Sequence, residues 1–199
     1  MRKFALILSV CAVPLFATLS YSQQFDIAVS GSTLFSPKNP TASLAYPLPP
    51  EKGGTYPGVS IDRIFSNHFG YNAELSFRYH KANYNNFQEY RPFLYDFNGL
   101  YAHKLAKKTT GELMAGVGAQ TVLFYSAFTN CGYSSGCPTH LNSTQFLMHL
   151  GGGVSYTVWR KIFIRPEGHY YYIVNNSSNF HSNNVYRFGA SIGYTFPRD

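Results

Sequence analysis

The chain has 199 residues, and its 16 Lys and Arg residues against 9 Asp and Glu residues give it a net charge of +7. Because the basic residues are scattered rather than clustered, this charge does not indicate a nucleic-acid partner. Only 13% of the residues are charged and 18% are aromatic, whereas about 25% of a typical soluble domain is charged. The composition therefore argues against an ordinary soluble protein.

The first segment of the chain has the features of a signal peptide. Arg2 and Lys3 precede an apolar stretch at residues 4–19, which is too short for a stable membrane helix. Small residues then occupy the −3 and −1 positions of a cleavage site after Ser22. We therefore predict a cleaved signal peptide over residues 1–22, followed by a single exported domain over residues 23–199.

The exported part of the sequence predicts β-strands throughout. Apolar and polar residues alternate in each segment, so that each strand would have one apolar and one polar face. The clearest case is residues 69–80, where the alternation extends over twelve positions. The predicted strands cover residues 24–34, 55–65, 69–80, 91–102, 111–125, 144–158, 162–173 and 185–196.

Three prolines, Pro57, Pro92 and Pro166, lie within these predicted strands. Proline has no backbone N–H to donate to a neighbouring strand, and a closed barrel has no free edge that would tolerate the loss. We therefore expect each proline to mark a strand end or a bulge.

The segments between the strands alternate in length. The long ones cover residues 36–52, 81–89, 126–142 and 174–184, and the shorter ones cover 66–68, 103–110 and 159–161. Short periplasmic turns and long external loops are typical of outer-membrane barrels, in which an even number of strands leaves both termini in the periplasm.

The polar strand faces indicate a closed lumen rather than a water-exposed surface. Every lysine of the mature chain falls in a predicted loop or turn, while the polar faces combine small residues with acidic and arginine side chains that can pair in a confined space. Eight strands enclose only enough room for side chains, so we expect a filled interior. The predicted polar network of the lumen consists of Asp26, Asp62, Glu74, Arg78, Asp96, Glu112, His149, Arg165, Glu167, His169 and Arg187.

The last predicted strand alternates as far as Phe196 and ends in Gly193-Tyr194-Thr195-Phe196. With the signal peptide, the eight amphipathic strands and the four long loops, this ending resembles the small OmpA/OmpX-type outer-membrane β-barrel domains. The resemblance implies an all-β, eight-stranded, antiparallel transmembrane up-and-down barrel in the bacterial outer membrane, in contact with lipid and lipopolysaccharide. It also implies insertion by the barrel-assembly machinery, with Tyr194 and Phe196 as the C-terminal assembly signal.

Two cysteines, Cys131 and Cys137, remain after removal of the signal peptide. An even pair six residues apart in an exported protein predicts a disulfide that closes a small loop. A metal site with His140 would have only three ligands and falls short of a structural zinc site. We therefore expect no metal and no cofactor.

The sequence leaves three functional hypotheses. The first is a non-enzymatic barrel with an envelope-structural or surface-interaction role, in which residues 84–87 and 175–184 could contact an unknown surface ligand. The second is a narrow, porin-like solute channel. The third is a lipid A-modifying enzyme, for which His181-Ser182 is the only adjacent Ser/His pair in the last loop. We interpret the polar residues His149, Glu167 and His169 as a lumen hydrogen-bond network rather than a general-base group.

Overall fold

A computed structural model describes residues 24–37, 48–65, 68–85, 88–126 and 140–196. These residues form antiparallel strands and one short 3-10 helix, Asn176–Ser178. Within the described ranges, no helix is long and apolar enough to cross a membrane. The strands are β1 (Gln24–Phe35), β2 (Tyr56–Ile64), β3 (Phe69–Phe77), β4 (Ala82–Asn85), β5 (Gln88–Ala106), β6 (Thr109–Ser126), β7 (His140–Trp159), β8 (Ile162–Ile173) and β9 (Asn184–Phe196).

The strands form one closed sheet. Their order is β3-β2-β1-β9-β8-β7-β6-β5-β4, and β3 closes the barrel by pairing with β5. Both β3 and the short β4 pair with β5, and together they occupy one strand position of the barrel. The barrel therefore has eight strand positions. The first and last strands pair from Phe25↔Phe196 to Phe35↔Tyr186. The predicted all-β, eight-stranded antiparallel barrel is confirmed.

The outer face of the barrel is apolar and the inner face is polar. Along β1, exposed Ile27 and Val29 alternate with buried Asp26 and Ala28. The exposed large side chains continue around the barrel with Leu75, Phe97, Val117, Leu150 and Ile192, among others. An exposed apolar surface that runs around a whole molecule is suited to lipid rather than to water.

Aromatic pairs gather at both ends of this apolar surface. We call the end that carries Phe196 the inner end and the opposite end the outer end. At the inner end, Phe69 contacts Tyr101 with ring centroids 5.3 Å apart. At the outer end, Tyr170 and Tyr186 lie 5.2 Å apart. Rings with a polar tip favour the boundary between lipid and water.

The three prolines lie where a missing N–H costs little. Pro57 is the second residue of β2. Pro92 accepts a 3.1 Å bond from the Arg78 amide, just beyond the end of β3. Pro166 pairs with Ala190 of β9, but the β7–β8 register passes from Gly153↔Glu167 to Tyr156↔Ile164 without a pair at Pro166. The hydrogen-bond ladder between β7 and β8 is therefore interrupted at Pro166, although β8 continues past this residue.

Strands β5, β6 and β7 are longer than predicted. They contain 19, 18 and 20 residues, so the predicted turn at residues 103–110 and part of the predicted loop at 81–89 were wrong. At the inner end, Lys104, Leu105 and Ala106 are all exposed. A strand with both faces in solvent needs no alternation, and the period of two that predicts a strand is therefore lost there.

Side chains fill the barrel along its length. A small apolar cluster near the inner end consists of Ile64, Leu100, Ala102 and Met114. The charged and amide groups follow, and above them lies a second apolar cluster of Leu34, Tyr56, Leu94, Leu147, Tyr171, Ile173 and Val185. The described lumen is therefore closed by apolar side chains on both sides of its polar middle.

Candidate functional site

Arg165 is the centre of the lower polar cluster of the lumen. It is 1% exposed, and its guanidinium nitrogens lie 2.6 Å from Asp62, 2.7 Å from Glu112 and 3.0 Å from Glu167. A further bond of 3.1 Å reaches Ser60. These residues come from β2, β6 and β8, so one planar side chain on β8 connects both sides of the barrel.

Arg187 forms a second cluster one layer nearer the outer end. Its Nη2 donates to Glu74 Oε1 at 2.5 Å, and its guanidinium lies 5.6 Å from the centre of the Tyr171 ring. Glu74 on β3 thus supplies the carboxylate that an arginine enclosed in the lumen needs. Its Nε and Nη1 atoms are buried without a hydrogen-bond partner in the described structure.

Two histidines face each other beside Arg187. His149 Nε2 lies 2.9 Å from His169 Nδ1, and the rings stack with centroids 5.1 Å apart. On its other side, His149 Nδ1 lies 2.7 Å from Asn98 Oδ1 and 3.3 Å from Asp96 Oδ1. The stack continues to Tyr171, 4.7 Å from the His149 ring. The sequence places these side chains on the lumen faces of β5, β7 and β8, but only the register brings them into contact.

Two of the eleven predicted network residues lie apart from these clusters. Asp26 is buried near the inner end, where Gln24 Nε2 donates to it at 2.5 Å. Arg78 was wrongly placed in the lumen, because β3 ends at Phe77. Its guanidinium donates instead to Gly53 O at 2.6 Å and to His80 O at 2.9 Å.

The outer mouth contains a buried acid that the sequence does not indicate. Glu51 lies in the segment before β2 and is 2% exposed, with Gln120 Nε2 donating to its Oε1 at 3.0 Å. The next residue, Lys52, donates its amide to Tyr90 Oη at 2.7 Å. Burial raises the pKa of the Glu51 carboxyl from 4.5 to about 7, against the lowering effect of the Gln120 hydrogen bond. No periodic pattern marks residues before β2, so its burial could not be predicted.

The loop between β8 and β9, residues 174–183, folds over the same mouth. Phe180 is fully buried, with ring centroids 5.0 Å from Tyr90, 5.7 Å from Tyr84 and 6.3 Å from Phe124. The loop also reaches the segment before β2, since the His181 amide donates to Pro49 O at 3.1 Å. We call residues 48–54 and 174–183 together the outer cap.

Ser182 of the predicted Ser/His pair is part of this cap. It is buried, and its Oγ accepts a 3.0 Å bond from the Asn184 amide. Its carbonyl accepts a 2.8 Å bond from Asn176 Nδ2. Both bonds are typical of a turn residue that stabilises its own loop, and they do not prepare the hydroxyl as a nucleophile.

The outer end of β7 extends past its neighbour β8. The last residue of β8, Ile173, pairs with Leu147, whereas β7 continues to pair with β6 as far as His140. The Val174 amide still donates to Phe146 O at 2.9 Å. Since alternate residues of a strand direct their backbone groups to the same side, Asn142 and Thr144 direct theirs to the side that β8 has left. Within the described residues no strand pairs with that side.

The remaining predicted sites lie at the ends of the described structure or outside it. Tyr194 and Phe196 are exposed on the outer face of β9, with ring centroids 5.0 Å apart, and their role in assembly stays a prediction. Cys131, Cys137 and the signal peptide lie outside the described residues.

Comparisons with known proteins find relatives in structure only. No family model matches the chain, and no curated protein matches its sequence. Neisserial surface protein A has a TM-score of 0.58 at 13% identity, covering 87% of this chain and 96% of that one. OprG from Pseudomonas aeruginosa has a TM-score of 0.58 at 12% identity, and the match covers 91% of this chain and 99% of OprG. Ail, the attachment invasion locus protein of Yersinia pestis, has a TM-score of 0.55 at 12% identity, and the match covers 89% of this chain and 100% of Ail. The chain therefore has the fold of the OmpA/OmpX-like eight-stranded outer-membrane barrels.

Proposed function

We propose that this protein is a non-enzymatic integral barrel of the bacterial outer membrane whose outer end takes part in surface interaction. The observation that carries the proposal is the extension of β5, β6 and β7 past the end of β8, which, among the described residues, leaves the outer edge of β7 without a paired strand. In the described structure, the loop at 174–183 contacts residues 140–145 of β7 through side chains only, by bonds from Gln145 to Asn175 O and from Asn179 to Ser143. The apolar outer face and the two aromatic belts support the membrane location.

The filled lumen argues against the channel hypothesis. Tyr56, Leu94 and Tyr171 are buried with four other apolar side chains directly above Arg187. A permeating ion would have to displace this layer and then pass the paired charges of Arg165 and Arg187, which the surrounding hydrogen bonds hold in place. We expect a silent protein in planar bilayers.

Among the described residues, the side chains considered for the enzyme hypothesis are not placed for catalysis. Ser182 is held in a turn, and His149 and His169 are enclosed in the lumen, where a lipid headgroup has no path to them. A general base must lie within hydrogen-bond reach of its substrate. We therefore expect expression of the protein to leave the mass of lipid A unchanged.

The open edge of β7 is suited to an extended peptide. On the side of β7 that has no paired strand in the described structure, exposed Asn142 and Thr144 present their backbone amides and carbonyls in a row. The other side of β7 pairs with β6. An added strand can pair with such an edge through main-chain bonds. Ail, which shares the fold, is by its name a protein of attachment and invasion, and a role in surface contact for this chain agrees with that.

A peptide-display selection against the detergent-folded protein tests this proposal. We expect the recovered peptides to bind the wild type and the Thr144→Ser variant, and to lose binding to Thr144→Pro, because proline removes the amide on the open side without touching the ladder to β6. Binding that is equal for all three proteins would refute an interaction at this edge. Membrane fractionation and heat-modifiable mobility on gels check the location, and a soluble periplasmic protein would overturn it.

A further inference from the structure

The charges of the lumen do not balance. Within the described residues the lumen contains two guanidiniums, Arg165 and Arg187, and six carboxylates, which are Asp26, Asp62, Glu74, Asp96, Glu112 and Glu167. A third buried guanidinium, that of Arg63, donates to Tyr71 Oη on the outward face of β3 at 3.2 Å. Arg78 does not reduce the excess, because its guanidinium lies in the outer cap. Uncompensated buried charge is strongly unfavourable, so the lumen must take up positive charge as protons or as a cation.

The hydrogen bonds around His149 establish which nitrogens carry protons. Asn98 Nδ2 donates to Asn72 Oδ1 at 2.7 Å, so Asn98 Oδ1 is the atom that faces His149. Both neighbours of His149 Nδ1, Asn98 Oδ1 and Asp96 Oδ1, are therefore acceptors, and Nδ1 must be the protonated nitrogen. In a neutral ring, Nε2 of His149 is then an acceptor.

His169 is the next member of this hydrogen-bond chain. Its Nδ1 lies 2.9 Å from the acceptor His149 Nε2 and must donate to it. The remaining nitrogen, His169 Nε2, then carries a lone pair, and it is buried without a hydrogen-bond partner. It lies 3.6 Å from Glu167 Oε1, which is also an acceptor. Two acceptors that face each other in a buried site require a positive charge between or beside them.

The two nearest carboxylates are each held by one oxygen only. Glu167 Oε2 accepts from Arg165, which leaves Oε1 directed at His169. Glu74 Oε1 accepts from Arg187, which leaves Oε2 free at 3.9 Å from His169 Nδ1, on the same side of the lumen as the unpartnered Nε2. The donor atoms offered by Glu74, Glu167 and His169 all lie within 4.8 Å of one another. Tetrahedral zinc ligands at bond lengths of about 2.0–2.2 Å lie roughly 3.3–3.6 Å apart, so small side-chain movements would bring these atoms around one ion.

We propose that Glu74, Glu167 and His169 form a binding site for one divalent metal ion of the zinc class, inside the barrel. One imidazole nitrogen and two carboxylate oxygens are a ligand set that such ions accept in open sites, where three protein ligands leave the fourth position to water, unlike the four-ligand structural sites. His149, Asn98 and Asp96 are positioning residues, because their relay orients the His169 ring and leaves Nε2 free for the metal. The ion would offset part of the negative excess. The sequence expectation of no metal considered only the cysteine loop, since Glu74 on β3 is far in sequence from Glu167 and His169 on β8.

The experiment is to fold the full-length exported chain from denaturant into detergent with Zn²⁺ present, wash it with a weak chelator, and measure bound zinc by mass spectrometry. Loading during folding is necessary because apolar layers close the lumen. We expect one zinc per folded chain for the wild type, and loss of the zinc from His169→Gln and Glu167→Gln. His149→Ala is expected to weaken zinc retention by about tenfold to a hundredfold.

The matched control is His103→Gln. His103 is exposed and stacks on His68 with ring centroids 5.5 Å apart, so this pair is the place where surface zinc would bind. The control must keep its zinc, and heat-modifiable mobility must show that every variant is folded. A folded wild type without zinc would overturn the proposal and leave protonated His169 as the compensating charge. Zinc that is lost with His103→Gln and kept with His169→Gln would overturn it as well.

Discussion

The outer cap is expected to open as the pH rises, because it contains the carboxyl of Glu51. Burial raises the pKa of Glu51 from 4.5 to about 7, and an open cap would return the carboxyl to its ordinary value. A group whose pKa is higher in the closed state stabilises that state at low pH, and the stabilisation is lost as the pH rises through the higher value. Mild acid should therefore hold the cap closed.

The size of the effect follows from the two pKa values. A change from 4.5 to about 7 corresponds to about 3 kcal/mol when the whole titration range is crossed. Between about pH 5 and about pH 8 the change is roughly 2–3 kcal/mol, which makes the open cap on the order of fiftyfold more populated. Arg78, Tyr56 and Tyr90 also face Glu51.

Hydrogen exchange at the Lys52 amide measures this opening, because that amide donates to Tyr90 in the closed cap. After correction for the intrinsic exchange rate, protection should fall between the two pH values in the wild type and stay nearly constant in Glu51→Gln. His181 contacts Pro49 through its backbone and is the ionisable side chain of the loop at 174–183, so His181→Gln serves as the control and should retain the wild-type response. A pH response that survives Glu51→Gln, or that disappears with His181→Gln, would refute the assignment to Glu51.

Four further predictions concern the barrel. Leu75→Arg should destabilise the barrel in vesicles by about 2–4 kcal/mol, and so lower its folding yield, because Leu75 faces lipid. Ser76→Thr on the lumen face should fold normally, and equal yields for the two variants would contradict the face assignment. Arg187→Met should cost about 3–5 kcal/mol in urea unfolding by leaving Glu74 unpaired, and adding Glu74→Gln should restore most of it. Phe180→Ala should make the loop at 174–183 sensitive to protease while gel mobility shows an intact barrel; unchanged cleavage would refute the packing of the cap. Planar bilayers should show no discrete conductance steps, and steps that persist in purified protein would refute a filled lumen.

The barrel itself was predictable because lipid and lumen impose opposite demands on alternate residues. The predicted segments 162–173 and 185–196 agree with β8 and β9 to within one residue. In these strands every outward position faces lipid and every inward position faces a packed interior, so the period of two continues to both ends. The need of Arg187 for a lumen carboxylate could be derived for the same reason.

The outer end was not predictable, because its burial arises from contacts between distant segments. Tyr90 lies between the charged residues Glu89 and Arg91, and Phe124 lies between Leu123 and Tyr125, but only the fold of residues 174–183 shows that Phe180 covers them. Glu51 lies in a segment that no pattern distinguishes from solvent-exposed loop. Much of the 175–184 loop closes the mouth of the barrel, so fewer of its residues are left for the surface-ligand contact that the sequence suggests.

Arg78 illustrates how a small error in a strand boundary changes the chemistry of a closed barrel. The alternation of β3 continues in the sequence as far as His80, which placed the guanidinium in the lumen, but the strand ends at Phe77 and Arg78 binds the backbone of the cap. On a soluble surface one misplaced arginine would matter little, because water screens its charge. In a lumen closed by apolar side chains the charges must compensate one another, and with Arg78 bound to the cap two guanidiniums face six carboxylates there. The place where β3 ends therefore increases the negative excess of the lumen by one charge.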